Sequence, residues 1–356
     1  IYDRALTADE VALLGASADH WEGKQYWRPS AHMGGSPGQD DTGTVPELGA
    51  VVINEILAHS HGSDPDWIEL YNTTDEPIDI SGWFLSDDND NYMKFRIAPG
   101  TVIEPHGYVV FYENQHFNNA QNPGCLKPFA LSENGETLYI RSGLDANNNL
   151  TGYYEEESFD ASETGVAFGR YRKSTGTHNF VAMSYNTPGA PNAYPKVGPI
   201  VISEIMYNPP GDAEYEGSDY EFVELCNISD APVTLQEYDP IRHVMLTWKF
   251  TDAIEYTFPL NTTIPPGGFV IVAKNPQAFT ARYGPVANVF GPYGGKLANE
   301  GEKLEISMPG DTDAQGTRYY IRVDRVNYSD SAEWPQTADG EGDSLTRINL
   351  THYGND

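Results

Sequence analysis

Four glutamates have the residue type and placement to do chemistry. Glu55 and Glu69 sit in the strings Val51–Ile56 and Trp67–Tyr71, and Glu204 and Glu224 sit in the similar strings Ile200–Ile205 and Phe222–Leu225. Carboxylates brought together by adjacent strands can hydrolyse a glycosidic bond if they are held at the right separation. They can equally hydrogen-bond loop backbone or face solvent across a strand pair. Alternation places Glu69 on one face with Trp67 and Tyr71, opposite Ile68 and Leu70, so its position does not require the core.

The stretch from His59 to Asp66 offers metal chemistry. His59 and His61, one residue apart, point the same way on an extended strand, and Asp64 and Asp66 follow within reach. The alternative is a solvated loop between two strands, and it is the better expectation. The corresponding stretch Asn208–Glu216 contains no histidine, whereas a site on which a repeated fold depends should recur. Two acidic turns suit a hard cation better, calcium first. One contains Asp145, Asn147 and Asn149, the other Asp311, Asp313 and Gln315, and their spacing aligns Asp145 with Asp311. The twelfth position of the second turn is Arg322 rather than a bidentate glutamate. Asx-rich turns also form without metal, through side chain to backbone bonds. They are expected to be hairpin turns, with calcium as the cation they would accept. Gly34-Gly35-Ser36-Pro37-Gly38 spells a nucleophile elbow, but Pro37 lacks the N–H an oxyanion hole needs, so a loop is expected.

The chain has 356 residues, with 21 Lys+Arg against 52 Asp+Glu, a formal net charge of −31. That field repels phosphate backbones and anionic membrane surfaces, so neither nucleic acid nor membrane insertion is expected. It favours solubility and cations. No apolar run approaches the ~18 residues that span a bilayer. Cys125 and Cys226 make no disulfide framework, and a bridge between them is not expected.

Short runs rich in Val, Ile, Phe and Tyr alternate with Gly and Pro clusters, which reads as an all-β chain of sandwiches or barrels. The runs include residues 50–57, 66–71, 108–112, 137–140, 200–206, 221–225, 268–273 and 303–307. Only Thr7–Leu14 reads as helix, with Thr7 as N-cap and Glu10 three residues on. Four blocks recur in the same order. Their separation grows from 149 residues at Glu55/Glu204 to 166 at Leu138/Leu304, as expected for one fold used twice with loop insertions in the second copy.

Those blocks carry a family resemblance. Val-Ile-Asn-Glu-Ile, Trp-Ile-Glu-Leu-Tyr-Asn and Ile80-Ser-Gly-Trp-Phe-Leu-Ser-Asp87, closed by Asn186-Thr-Pro-Gly-Ala-Pro-Asn192, resemble a bacterial lamin-tail domain. The second copy is similar, through Ile202-Ser-Glu-Ile205, Val223-Glu-Leu225 and Ile264-Pro-Pro-Gly-Gly268, and departs after Leu235. The resemblance implies two tandem immunoglobulin-like β-sandwich domains, at 49–195 and 196–356. Residues 1–11 resemble the last strand and turn of a concanavalin/laminin-G-like jelly roll. That implies a lectin-like remnant at 1–16, a linker at 17–48, and a piece of a longer precursor.

The function expected is a non-catalytic adhesion, display or spacer module of a secreted or surface-attached bacterial protein, outside the cell. A glycan, a surface protein or a second copy would be its partner. A secreted hydrolase acting on polysaccharide or ester is the alternative, and an extracellular filament or sheath subunit the third. Six Trp and 23 Tyr could stack on sugar rings but mostly serve packing. Sequons at Asn72, Asn149, Asn227, Asn261, Asn327 and Asn349 matter only in a host that glycosylates.

Overall fold

The computed structural model describes residues 45–145 and 147–356, together with Ser30, Gly35, Pro37 and Gly38. The expected Thr7–Leu14 helix, the jelly-roll remnant and most of the 17–48 linker, including Gly34 and Ser36, lie outside the described residues. Among the described residues no helix is long and apolar enough to cross a membrane.

Strands dominate, and the expected runs fall where the pattern put them. They appear as Val51–Leu57, Trp67–Asn72, Tyr108–Tyr112, Gly135–Arg141, Ile200–Met206, Phe222–Asn227, Phe269–Ala273 and Gly301–Thr312. The last of these is far longer than its apolar centre. It pairs along its length with Arg318–Ser329, through bulges after Ile306 and Pro309.

The chain gathers into two compact units. One holds Glu69–Phe129 and Thr137–Glu157 with the described residues up to Ile53; the other holds Asn54–Ile68, Ala130–Glu136 and Ser158–Asp356. In the first unit, Phe84–Ser86 pairs with Phe95–Arg96 on one side and with Gly135–Arg141 on the other. Ile78–Asp79 pairs with Val102–Ile103. Ile80, Trp83, Leu85 and Ile140 are buried, and the Trp83 and Tyr153 rings lie 4.8 Å apart. Tyr153 is fully buried, and its hydroxyl donates to the Val51 carbonyl (2.6 Å) while accepting the Val51 N–H (2.8 Å). One phenol thus takes both backbone groups of Val51.

In the second unit a five-stranded sheet runs in the order Val289–Phe290, Phe269–Ala273, Phe222–Asn227, Ile200–Met206, Leu345–Thr346. A three-stranded sheet is built from Lys249–Asp252, Gly301–Thr312 and Arg318–Ser329. Ile202, Val223, Leu225, Val270 and Val272 from the first sheet share one core cluster with Phe250, Leu304 and Ile306 from the second. Two sheets burying one apolar layer make a sandwich. The same unit holds a ladder of His178–Ala182, Phe168–Arg172 and the end of Val51–Leu57.

Two expectations change. A helix spans Pro276–Tyr283 in the second copy, beyond the single N-terminal one expected. Its signals are local: Asn275 accepts from the N–H groups of Gln277 and Ala278, Pro276 opens the first turn, and Gly284 follows the last. Glu69 is fully buried, because Trp67, Ile68 and Leu70 are buried as well and both faces of that strand are covered. Alternation assigns a face; it does not say whether that face is wet.

Candidate functional site

The two copies hold themselves closed by the same side chains. Asn72 donates to the carbonyls of Glu76 (2.7 Å) and Ile103 (3.0 Å), and its Oδ1 accepts from the N–H and hydroxyl of Thr74. Asn227 repeats the pattern with Ala231 (2.8 Å), Ile264 (2.8 Å) and Ser229. Both asparagines are fully buried, so these two sequons are out of reach of a modifying enzyme in the folded chain. Glu136 accepts from the Ser132 N–H (2.7 Å), and Glu302 likewise from Ala298 (2.6 Å).

The glutamates take different roles. Glu55 is fully buried, and its carboxylate accepts both the N–H (3.0 Å) and the hydroxyl (2.6 Å) of Thr187. Burial pushes its pKa up, and those two bonds oppose the rise. Thr187 belongs to the strap Asn186–Asn192. Asn186 accepts the Ala167 N–H, and Asn192 donates to the carbonyls of Asn54 (3.1 Å) and Arg170 (2.9 Å). Glu204 and Glu224 face each other across the Ile200–Met206/Phe222–Asn227 ladder, as adjacent strands should place them. Glu224 accepts the Ser203 hydroxyl (2.8 Å), and Glu204 accepts that of Ser344. Glu224 is raised by burial first, with Glu204 adding repulsion. Glu221, which the sequence reading passed over, accepts the Tyr293 hydroxyl (2.8 Å) and the Leu297 N–H (2.9 Å), and burial raises it.

The histidine loop packs within the second unit. His59 Nδ1 lies 3.1 Å from the Ser162 carbonyl, Nε2 lies 3.0 Å from Thr164 Oγ1, and Asp311 Oδ2 is 3.8 Å from Nδ1. Hydroxyl, imidazole and carboxylate thus stand in the order of a nucleophilic relay. The backbone donors beside Thr164 are already engaged: Gly165 N–H with the His59 carbonyl (2.6 Å) and Val166 N–H with that of Glu163 (3.1 Å). An acyl intermediate would find neither of them free to stabilise its oxyanion. His61 packs against Gly165, where an added Cβ would come within 2.2 Å of its Nε2. Asp66 accepts the Ser60 N–H (3.0 Å), and Asp64 uses its backbone carbonyl to accept the Ser60 hydroxyl. Among the described residues no three His, Cys, Asp or Glu side chains converge as a metal would require.

The acidic turns are Asx turns. Asp145 Oδ1 accepts the N–H groups of Asn147 and Asn149, both at 2.8 Å. Its structural counterpart is Asp313, which accepts from Gln315 (3.0 Å) and Thr317 (2.8 Å), so the expected match of Asp145 with Asp311 shifts by two residues. The bonds from Thr317 and Gln315 lower the Asp313 pKa. Asp311 instead stands free of its own turn and faces His59. Cys125 and Cys226 are free thiols. Elsewhere in the first unit the buried Arg141 guanidinium lies 4.0 Å from the Tyr92 ring and 5.5 Å from those of Tyr139 and Tyr154, so part of the aromatic inventory packs on a cation.

Fold and side-chain use together define a tandem immunoglobulin-like β-sandwich protein whose repeated polar motifs fasten its own loops. The lamin tail domain model matches residues 44–162 and 194–329, and the chain belongs to that family. No curated protein and no solved structure matches it.

Proposed function

We propose that this tandem is a non-catalytic display or spacer module of a large secreted or surface-attached bacterial protein, holding loops at the sandwich ends towards a glycan or protein partner. The observation that carries this reading is the use made of its carboxylates. Glu55, Glu221, Glu224 and Glu302 each accept bonds from the chain's own hydroxyls or N–H groups, which makes them fasteners. A net charge of −31 suits a solvated module in a saline, cation-rich exterior. The hydrolase reading draws on the Thr164–His59–Asp311 order, and the engaged N–H groups beside it count against that reading.

The test is a glycan-array and metal-ion binding screen on the intact chain, run beside a panel of polysaccharide and ester substrates. Saturable binding to a glycan or protein without turnover is the expected result. Turnover that His59→Ala or Thr164→Val abolishes, with the fold intact by circular dichroism, would overturn it.

A further inference from the structure

The turn from Glu163 to Val166 lays an exposed hydroxyl on an imidazole. The Val166 N–H donates to the Glu163 carbonyl (3.1 Å), and Gly165 takes a backbone φ of +78°, the value a type II turn asks of its third residue. Thr164 therefore occupies the outer corner of the turn, and it is exposed. The Gly165 N–H donates to the His59 carbonyl (2.6 Å), which fixes the turn against the segment that follows Val51–Leu57. Thr164 Oγ1 then stands 3.0 Å from His59 Nε2.

The direction of that hydrogen bond follows from the other side of the ring. His59 Nδ1 faces the Ser162 carbonyl at 3.1 Å, and a carbonyl oxygen only accepts. Nδ1 thus carries the hydrogen, Nε2 presents its lone pair, and the Thr164 hydroxyl donates to it. Asp311 Oδ2, 3.8 Å from Nδ1, stabilises the imidazolium that forms when Nε2 takes a proton. The His59 side chain is only 23% exposed while the hydroxyl lies at the surface, so a reactant reaches Thr164 without displacing its base. A hydroxyl held on such a base is an activated nucleophile. The N–H groups of Gly165 and Val166 are spent inside the turn, and an oxyanion donor is worth about 10²–10³ in rate. Amides and ordinary esters need that help; an ester whose leaving group departs readily does not.

We infer that Thr164 is a single-use acyl acceptor, which takes the acyl group of a neutral activated ester and keeps it. Thr164 Oγ1 attacks the carbonyl carbon as its proton passes to His59 Nε2. The C–O bond to the leaving group then breaks with its electron pair, and the leaving oxygen takes the proton from the imidazolium. One threonine ester and one free alcohol result, with no change of oxidation state. The missing oxyanion donors that restrict the reactant also protect the new ester from water. The net charge of −31, with Glu163 and Asp311 beside the site, disfavours a phosphoryl donor and leaves the neutral acyl group. Acyl storage without turnover is independent of the display role proposed above.

The probe is p-nitrophenyl acetate, added to the intact chain. Absorbance follows release of p-nitrophenolate, and peptide mass spectrometry locates the acetyl group. One equivalent on Thr164 is expected, followed by no release beyond that in buffer. Thr164→Ser should still be labelled. His59→Gln keeps an acceptor for the hydroxyl but no base to hold its proton, and should slow labelling at least about 100-fold, the contribution of a general base. Asp311→Asn, at a half-exposed side chain, should slow it by a smaller factor and keeps the test open if His59→Gln fails to fold by circular dichroism. No acetyl group on Thr164 would overturn the inference and leave the display role standing, as would labelling that neither the His59 nor the Asp311 change slows. Continued release through acetylated Thr164 would overturn both.

Discussion

Replacing Thr187 by valine removes one hydroxyl and changes little volume. In the folded chain that hydroxyl donates to Glu55 Oε2 at 2.6 Å, and both residues are buried. A hydrogen bond to an ionised group contributes about 1.5–3 kcal/mol, so Thr187→Val should destabilise by about 2 kcal/mol at pH 7. In a unit of this size that corresponds to a fall of about 4–8 °C in melting temperature. The pH dependence separates this cause from a packing defect. Burial raises the folded-state pKa of Glu55 above its unfolded value. The folded chain therefore binds the proton more tightly, and stability falls as pH rises from the unfolded value through the folded one. Removing the hydroxyl takes away a bond that favours the charged form and raises the folded pKa further. The difference between variant and parent should be largest at pH 7 and shrink to about 1 kcal/mol near pH 4, where Glu55 is protonated and the lost bond is neutral. Urea midpoints of both proteins at the two pH values measure this. Equal differences at both pH values, or a loss under about 0.5 kcal/mol at pH 7, would refute the reasoning.

Asn227→Ala removes two bonds to the carbonyls of Ala231 and Ile264 and two from Ser229, and should cost about 4 kcal/mol at about 1 kcal/mol per net bond, read from the denaturant midpoint. A loss no larger than that of an exposed asparagine such as Asn261 would show that the pin is not what holds its loop. Gly301→Ala places a Cβ 2.4 Å from the Tyr328 carbonyl oxygen at a backbone φ of +100°, and should destabilise by at least about 2 kcal/mol. A thermal midpoint unchanged by that substitution would mean the hairpin shifts to accommodate it.

Much of this fold is legible in the chain itself. Apolar runs bounded by turn residues located the strands within a few residues, since a pleated strand buried on a sandwich face needs that composition wherever it lies. The repeated strings established two copies. The helix at Pro276–Tyr283 was equally legible, through Asn275, Pro276 and Gly284. The candidate chemistry was much less legible. His59, Thr164 and Asp311 are far apart in sequence, and their meeting depends on how two loops fold back. Asp145 and Asp311 share an offset but not a role, because in the second copy Asp313 takes the turn's N–H groups.

The amino-acid sequence alone determined the strand content, the duplication and the acidic character, since each is a local property of composition and order. Tertiary structure decided what the carboxylates are for. Whether Glu55 is wet or buried, whether Glu69 has a covered face, and how far Glu204 is covered all depend on which segment, remote in sequence, packs across that strand. The same glutamate in the same motif is fully buried under a threonine in one copy and borders an open groove in the other, because burial belongs to the neighbours a residue acquires.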